Sequence, residues 1–357
     1  MKTKIKIIAI FTFSLFALAF FVPKGEMQTK QVETAGQKFK NIKVLNDMPA
    51  DQLGKVMNLM SASLGVNCNY CHIENDFAKD GKEEKESARE MIKMTLGLNK
   101  NFFDNRPEIS CNTCHQGHTR PQSAINFNAL KAEERPKQPD AKPAIDAILA
   151  KYETALGGKA NLSKVTSRTI KANRVEPDNK TIETEEIWQK GDKLLINTTY
   201  GKTVVSEIFD GANARKRANS DEITLKPDEA EQIKRNAQLF AFTDLKTIYP
   251  KLEYRFTDKI EGREVYLIVG TLADNSRERL YFDAVTGLLV RRVASAPTVL
   301  GVFQYQVDYT DYKDFGGVKL PTTIRYAMPN ISWTRKITDV KNNATIDDAK
   351  FDSIKKN

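Results

Sequence analysis

The chain has 357 residues, 40% apolar and 28% charged, with a formal net charge of +9. This length suffices for two domains of ordinary size, and this balance excludes a disordered or fibrous chain. Lys2, Lys4 and Lys6 supply three of the positive charges, and Lys82-Glu83-Glu84-Lys85-Glu86 typifies how the other cations alternate with acids. With no basic stripe interleaved with aromatics, nucleic acid is excluded as a partner, while a mildly basic face remains suited to an acidic protein.

In chain order, residues 1–26 read as a signal peptide or N-terminal anchor. Three lysines precede an apolar run from Ile7 to Val22, and Ala17-Leu18-Ala19 offers a small-x-small cleavage site. The run of 16 residues falls just short of the ~20 a spanning helix needs, so cleavage and anchoring both stay open. Either way the remainder is expected outside the cytoplasm, in the periplasm or on the outer face of the cytoplasmic membrane. Residues 27–40 form a polar spacer, and Phe39–Leu45 alternates like a short extended segment. Asp47-Met48-Pro49 then starts a helix whose stripe is Leu53, Met57, Met60 and Leu64, ended by Gly65 three residues before Cys68. A second helix is predicted from Glu83 to Leu98, with Ala88, Met91, Thr95 and Leu98 as its stripe and Asp80 as its cap. Asn105-Arg106-Pro107 leads on to Cys111.

Residues 122–142 lose periodicity and carry Pro136 and Pro139 between charged residues, which marks a linker after a first domain at 27–121. Residues 143–357 change character. A helix from Ala144 to Leu156 is followed by eleven alternating, β-branched runs: 167–175, 181–189, 193–200, 202–209, 251–259, 263–271, 277–283, 288–296, 301–312, 318–327 and 332–341. Turn residues such as Lys190-Gly191-Asp192 and Thr286-Gly287 separate them, and one helix is inserted at Asp228–Leu239. The expected architecture is an α-helical domain followed by an α+β domain dominated by a curved antiparallel β-sheet.

All four cysteines lie in two pentads, Cys68-Asn69-Tyr70-Cys71-His72 and Cys111-Asn112-Thr113-Cys114-His115. C-x-x-C-H is the pattern of c-type haem attachment. Two thiols at this spacing reach the two vinyl groups on one porphyrin edge, and the adjacent imidazole reaches the iron. Cys68, Cys71, Cys111 and Cys114 are therefore the covalent anchors of two haem c groups, with His72 and His115 as proximal ligands. His118 is the one histidine left, so two bis-His centres cannot be built, and Met is the available sixth ligand. Each pentad follows a helix with a Met-x-x-Met pair, Met57/Met60 and Met91/Met94, whose members share a helix face, so helical geometry does not choose between them. A thioredoxin-like fold lacks its βαβ context. One zinc site or two disulfides would also use four cysteines, but a His closes each pair and 39 residues separate Cys71 from Cys111. His118 reads as a loop histidine, solvated or bonded to a propionate.

The residues Phe39, Asn41, Val44 and Leu45, the Met57-x-x-Met60 helix, Leu64-Gly65-Val66, the first pentad, Phe77-Ala78, Asp80, Lys82, Lys85, Ala88-Arg89, the Met91-Ile92-x-Met94 helix, Asn99, and Cys111 to Gly117 with Pro121 together resemble the photosynthetic reaction-centre cytochrome c subunit family. The resemblance implies that the first Met of each pair is the axial ligand. Met57 would serve the haem on Cys68, Cys71 and His72, and Met91 the haem on Cys111, Cys114 and His115. Family members are similar to two such pairs with four haems, whereas this sequence has one pair. The resemblance thus implies a dihaem module that transfers single electrons between redox partner proteins, rather than an enzyme. A peroxidase-like enzyme with one open iron and a redox-sensing lipid- or polymer-binding protein are the alternatives. In the second half, Phe282–Arg291 and Asp311–Pro321 resemble segments of the lipoprotein-carrier fold, which implies a sheet able to hold an acyl chain; without His or Cys that half offers no nucleophile–base set.

Overall fold

In a computed structural model of the chain, the described residues are 32–121, 138–139, 141–178, 180–225, 227–237 and 245–352. The predicted signal segment at 1–26, linker residues 122–137 and 140, and positions 238–239 of the predicted inserted helix lie outside them.

The first body is helical. A short α1 (Ala35–Lys38) carries a reciprocal capping box between Thr34 and Gln37. A 3-10 turn (Ala50–Gln52) after Pro49 opens α2 (Leu53–Leu64), which ends on Gly65 in the left-handed conformation, as its sequence predicts. The longer α3 (Glu83–Phe102) runs four residues past the predicted end, and α4 (Cys111–His115) is the second pentad itself. Phe39–Leu45 is turns and bends rather than extended chain, with Asn41 at φ 59°. The core holds Ala35, Leu45, Met48, Val56, Met60, Ile92 and, from far along the chain, Leu300.

Both predicted helix stripes are rotated. On α2 the buried ridge is Val56, Met60 and Ser63, which leaves Met57 on its flank, half-buried. On α3 the buried residues are Lys85, Arg89, Ile92, Thr95 and Asn99, while Met91 is 43% exposed. That inner face is largely polar, so apolar periodicity could not locate it. Asp80 does not cap α3, whose N-cap is Lys82. Instead Asp80 accepts from Asn41, Lys43 and Arg89 and pairs with Lys85.

Among the described residues the second body is a 13-stranded sheet, every neighbouring pair antiparallel. Its strands are β1 (Ser167–Val175), β2 (Thr181–Lys190), β3 (Lys193–Tyr200), β4 (Thr203–Phe209), β5 (Ala214–Ala218), β6 (Asp221–Ile223), β7 (Lys251–Ile260), β8 (Arg263–Thr271), β9 (Arg277–Asp283), β10 (Leu289–Thr298), β11 (Gly301–Asp314), β12 (Lys319–Met328) and β13 (Ile331–Asn342). All eleven predicted strands are present, and the short β5 and β6 are added. The order β6-β5-β4-β3-β2-β1-β13-β12-β11-β10-β9-β8-β7 is two meanders joined where β1 pairs with β13. The chain crosses from one edge strand to the other through α7 (Pro227–Ala237) and α8 (Leu245–Ile248), preceded in sequence by α5 (Ile145–Ala155) and α6 (Lys159–Leu162) and followed by α9 (Ala349–Asp352). Ile148 and Tyr152 of α5 and Leu245 beside Tyr249 cover Ile268, Leu280, Phe282 and Tyr309, while Ile233 and Ala237 of α7 cover Ile187, Ile196 and Phe209. Burying one apolar face in this way is the main stabilisation such a sheet has.

The bodies meet at two hairpin tips. The β10–β11 tip is tightened by Thr298 Oγ1 donating to the Gly301 carbonyl (2.8 Å), and Leu300 is 1% exposed inside the helical core. Gly301 lies so near Ser110 that an added Cβ would sit 2.9 Å from the serine Cβ. At the β12–β13 tip, Asn330 donates to Asn58 of α2 (3.0 Å).

Candidate haem centres

The first pentad occupies a 3-10 turn in which the His72 amide donates to the Cys68 carbonyl (3.0 Å). The second is α4, capped by Ser110, whose amide donates to Thr113 Oγ1 (3.0 Å). Thr113, a spacer position in the sequence, thus fixes the start of its pentad. All four cysteines are free thiols, with Cys68 and Cys114 exposed and Cys71 and Cys111 half-buried. Burial pushes the Cys71 and Cys111 thiols up, which keeps them protonated. Among the described residues, no three His, Cys, Asp or Glu side chains converge as one metal site, so the four cysteines do not form a shared zinc cluster.

Both histidines are held alike. His72 Nδ1 is 2.9 Å from the Phe77 carbonyl, and His115 Nδ1 is 2.9 Å from the His118 carbonyl. A carbonyl only accepts, so each Nδ1 carries a proton, and in the neutral ring this tautomer leaves the lone pair on Nε2. This is the arrangement in which an imidazole binds a metal through one nitrogen and is oriented through the other. His118 contributes a backbone oxygen, while its ring is exposed.

The surroundings fit a flat apolar group. Tyr70 (40%), Phe77 (62%), Met91 (43%), Met94 (47%) and Phe102 (72%) are all exposed on this small module, a concentration of uncovered apolar surface that a ligand would bury. Gly54 and Gly97, three residues from Met57 and Met94, have nothing within 4 Å of where a Cβ would stand, so each helix leaves space beside a methionine. Met60 is buried in the core and Met57 is not, which singles out Met57 as the accessible thioether of α2. On α3 both methionines are exposed, and exposure does not choose between them. The Phe77 ring stands edge-on to His72 at 5.3 Å.

Two features hold the centres in place that the sequence reading did not assign. Asn99, 3% exposed on α3, donates to the Ile109 carbonyl (2.8 Å) and accepts from the Ile109 amide (2.9 Å), clamping the loop before Cys111. Gly117 donates to the Ser63 carbonyl (2.8 Å), and a Cβ on Gly65 would stand 2.2 Å from the Gly117 oxygen. The turn before the first pentad and the turn after the second are therefore in backbone contact. Their glycines and the asparagine were visible in the sequence, but their partners are distant or buried.

The helical part of the chain has relatives among known proteins. Residues 13–154 match the family model for the photosynthetic reaction centre cytochrome C subunit. The chain is 35% identical over 95 residues to cytochrome c-554 of Chloroflexus aurantiacus, covering 25% of this chain and 22% of that protein. It is 33% identical over 124 residues to the photosynthetic reaction center cytochrome c subunit of Roseobacter denitrificans, covering 32% of each. The chain thus spans less than a third of the length of these relatives. Among solved structures, a LolA superfamily protein from Nitrosomonas europaea has a TM-score of 0.41 at 13% identity, covering 58% of this chain and 97% of that one. The lipoprotein LppX of Mycobacterium tuberculosis has a TM-score of 0.26 at 15% identity, covering 57% and 99%. The N-terminal part of the chain resembles the reaction-centre cytochrome c subunits, as its motifs predict.

Proposed function

We propose that this chain is an exported dihaem c-type cytochrome that passes single electrons between redox partner proteins, with residues 27–121 as the haem domain, 122–142 as linker and 143–357 as a β-rich scaffold. The observation that carries the reading is the twice-repeated histidine, Nδ1–H given to a backbone carbonyl and Nε2 free, beside two free thiols. Cys68, Cys71, Cys111 and Cys114 would anchor the two groups, and His72 with Met57 and His115 with Met91 would supply nitrogen and sulfur to their irons. Haem c supplies a one-electron Fe(III)/Fe(II) couple when bound. The chain's own residues do the rest. The carbonyls of Phe77 and His118 orient the imidazoles, the thioethers would complete the ligand set, and the flanking aromatics would cover the bound group from water.

A chain that offers each iron both an imidazole and a thioether would leave no open position for a substrate, which supports electron transfer rather than turnover. The Gly65–Gly117 contact joins the turns that flank the two pentads, which supports passage of an electron from one group to the other. The lysines and apolar run of the N-terminal sequence support the periplasm or the outer face of the cytoplasmic membrane as the setting. Among the described residues no helix is long and apolar enough to cross a membrane, and the apolar run from Ile7 to Val22 lies outside them.

The test is expression in a host that matures c-type haem. The purified chain is expected to be heavier by two haems. Its oxidised spectrum is expected to show the Met–Fe(III) charge-transfer band, with part of it lost in Met57→Ala and part in Met91→Ala. A mass without haem defeats the reading. A band unchanged in both variants defeats the ligand assignment, and rapid carbon monoxide binding at one reduced iron would favour an enzyme.

A further inference from the structure

The two proximal histidines are held by chemically different carbonyls. The Phe77 oxygen that accepts from His72 Nδ1 also accepts from Lys85 Nζ (3.1 Å). The same ammonium donates to the carbonyls of Ala78 (3.0 Å) and Lys79 (2.9 Å) and lies 3.2 Å from Asp80 Oδ1. Its residue is 8% exposed. Around it stand Lys43, Arg89, Asp80 and Glu86, so with Lys85 the knot carries three positive and two negative charges. The His118 oxygen that accepts from His115 has no cation on it among the described residues.

We infer that Lys85 is a positioning residue that raises the reduction potential of the centre at Cys68–His72 above that of the centre at Cys111–His115. This rests on the haem reading above. Two effects act in the same direction. An ammonium drawing on the Phe77 oxygen makes it a poorer acceptor for the imidazole N–H, so His72 gains less anionic character and favours ferric iron less. The buried positive charge also opposes the extra charge of the ferric state through a poorly screening interior. Among the described residues no such cation sits on the His118 carbonyl, so the first centre is reduced first and holds the electron longer.

Redox potentiometry on the full chain tests this, with Met57→His marking the wave of the first centre. Lys85→Met is expected to lower that wave by at least a tenfold change in the ferrous/ferric ratio, about 59 mV for one electron, and to leave the other in place. Lys85→Arg, which keeps the charge, is expected to restore most of the shift. Asp80→Asn, isosteric and at the exposed rim of the knot, is expected to raise the same wave by removing the counter-charge. Loosening of the loop alone would move the Asp80 and Lys85 variants the same way, and that result would overturn the inference. Equal shifts in both waves, or none, would do so as well. A chain of native mass without haem would defeat the haem reading and this inference together, whereas two haems with insensitive waves defeat the inference alone.

Discussion

Leu300 belongs by sequence to the sheet and by packing to the helices, and Leu300→Ala asks which allegiance carries its energy. The side chain is 1% exposed, in a core with Val56 (0%), Met60 (9%) and Ile92 (4%). Truncating a leucine so enclosed costs ~2–5 kcal/mol, the spread reflecting how far the site can collapse. Here one wall is a hairpin tip, which can shift more readily than a helix, so the lower part of the range, ~2–3 kcal/mol, is expected. At urea slopes of ~1–3 kcal/mol/M this is a fall in midpoint of ~1–3 M. The two bodies can be followed separately. Both tryptophans, Trp188 and Trp333, lie in strands, so fluorescence reports the sheet, and the helical far-ultraviolet circular dichroism and haem absorbance report the module. The helical transition is expected to fall by the full amount and the fluorescence transition by less than ~1 kcal/mol, a change near the surface-substitution range. Val302→Ala, at 45% exposure on the same hairpin, should move neither by more than ~0.5 kcal/mol. A fluorescence midpoint that falls while the helical one stays put would refute the argument.

Gly65→Ala adds a Cβ at φ +67°, 2.2 Å from the Gly117 oxygen. Left-handed strain of ~1–2 kcal/mol and a lost hydrogen bond of ~1 kcal/mol predict a loss of ~2–3 kcal/mol in the helical transition, and a change under ~0.5 kcal/mol would contradict the close approach. Asn99→Ala leaves the amide and carbonyl of Ile109 without their buried partner. At ~1–3 kcal/mol for each orphaned group, urea melts should show ~2–6 kcal/mol lost, and a neutral variant would show the clamp to be incidental. Lys43, then Arg89, hold the Asp80 carboxyl well below the usual carboxylate range. Its contribution is therefore complete above ~pH 4, the unfolded-state value, and fades as pH falls toward the depressed folded-state value. The urea-midpoint gap between native chain and Asp80→Asn should be widest above ~pH 4 and close in acid, and a gap independent of pH would refute it.

The sheet was legible because its strands alternate and its turns carry glycine, so local pattern and tertiary role agree. The strands that escaped notice are Ala214–Ala218 and Asp221–Ile223 at an edge, where charged residues such as Lys216 pair across to Glu207 and no apolar rhythm exists. The pentads were legible for a different reason, since covalent chemistry demands fixed residue types at fixed spacing. The faces of the helices beside them were not. On α3, Lys85, Arg89 and Asn99 are buried because each reaches a backbone carbonyl or a carboxylate in a neighbouring loop, and nothing in a polar residue's identity announces such a partner. Val299 and Leu300 fell between two predicted strands, where an apolar pair in a turn gains meaning only from the body it enters.

The pairing of β1 with β13 sets an order in time. The bond between Glu185 and Arg335 joins residues 150 apart, so the sheet cannot close until nearly the whole chain is available. Contacts this distant in sequence are slow to form, and chains fold N-terminal part first during synthesis. Helices α1–α4 and both pentads precede every strand, and their core stays one leucine short until residue 300 arrives. During that interval the cysteines stand on a module not yet seated on its scaffold. The β10–β11 tip, arriving late and lodging beside Ser110, then acts as the closing wedge of a site whose anchors were made first.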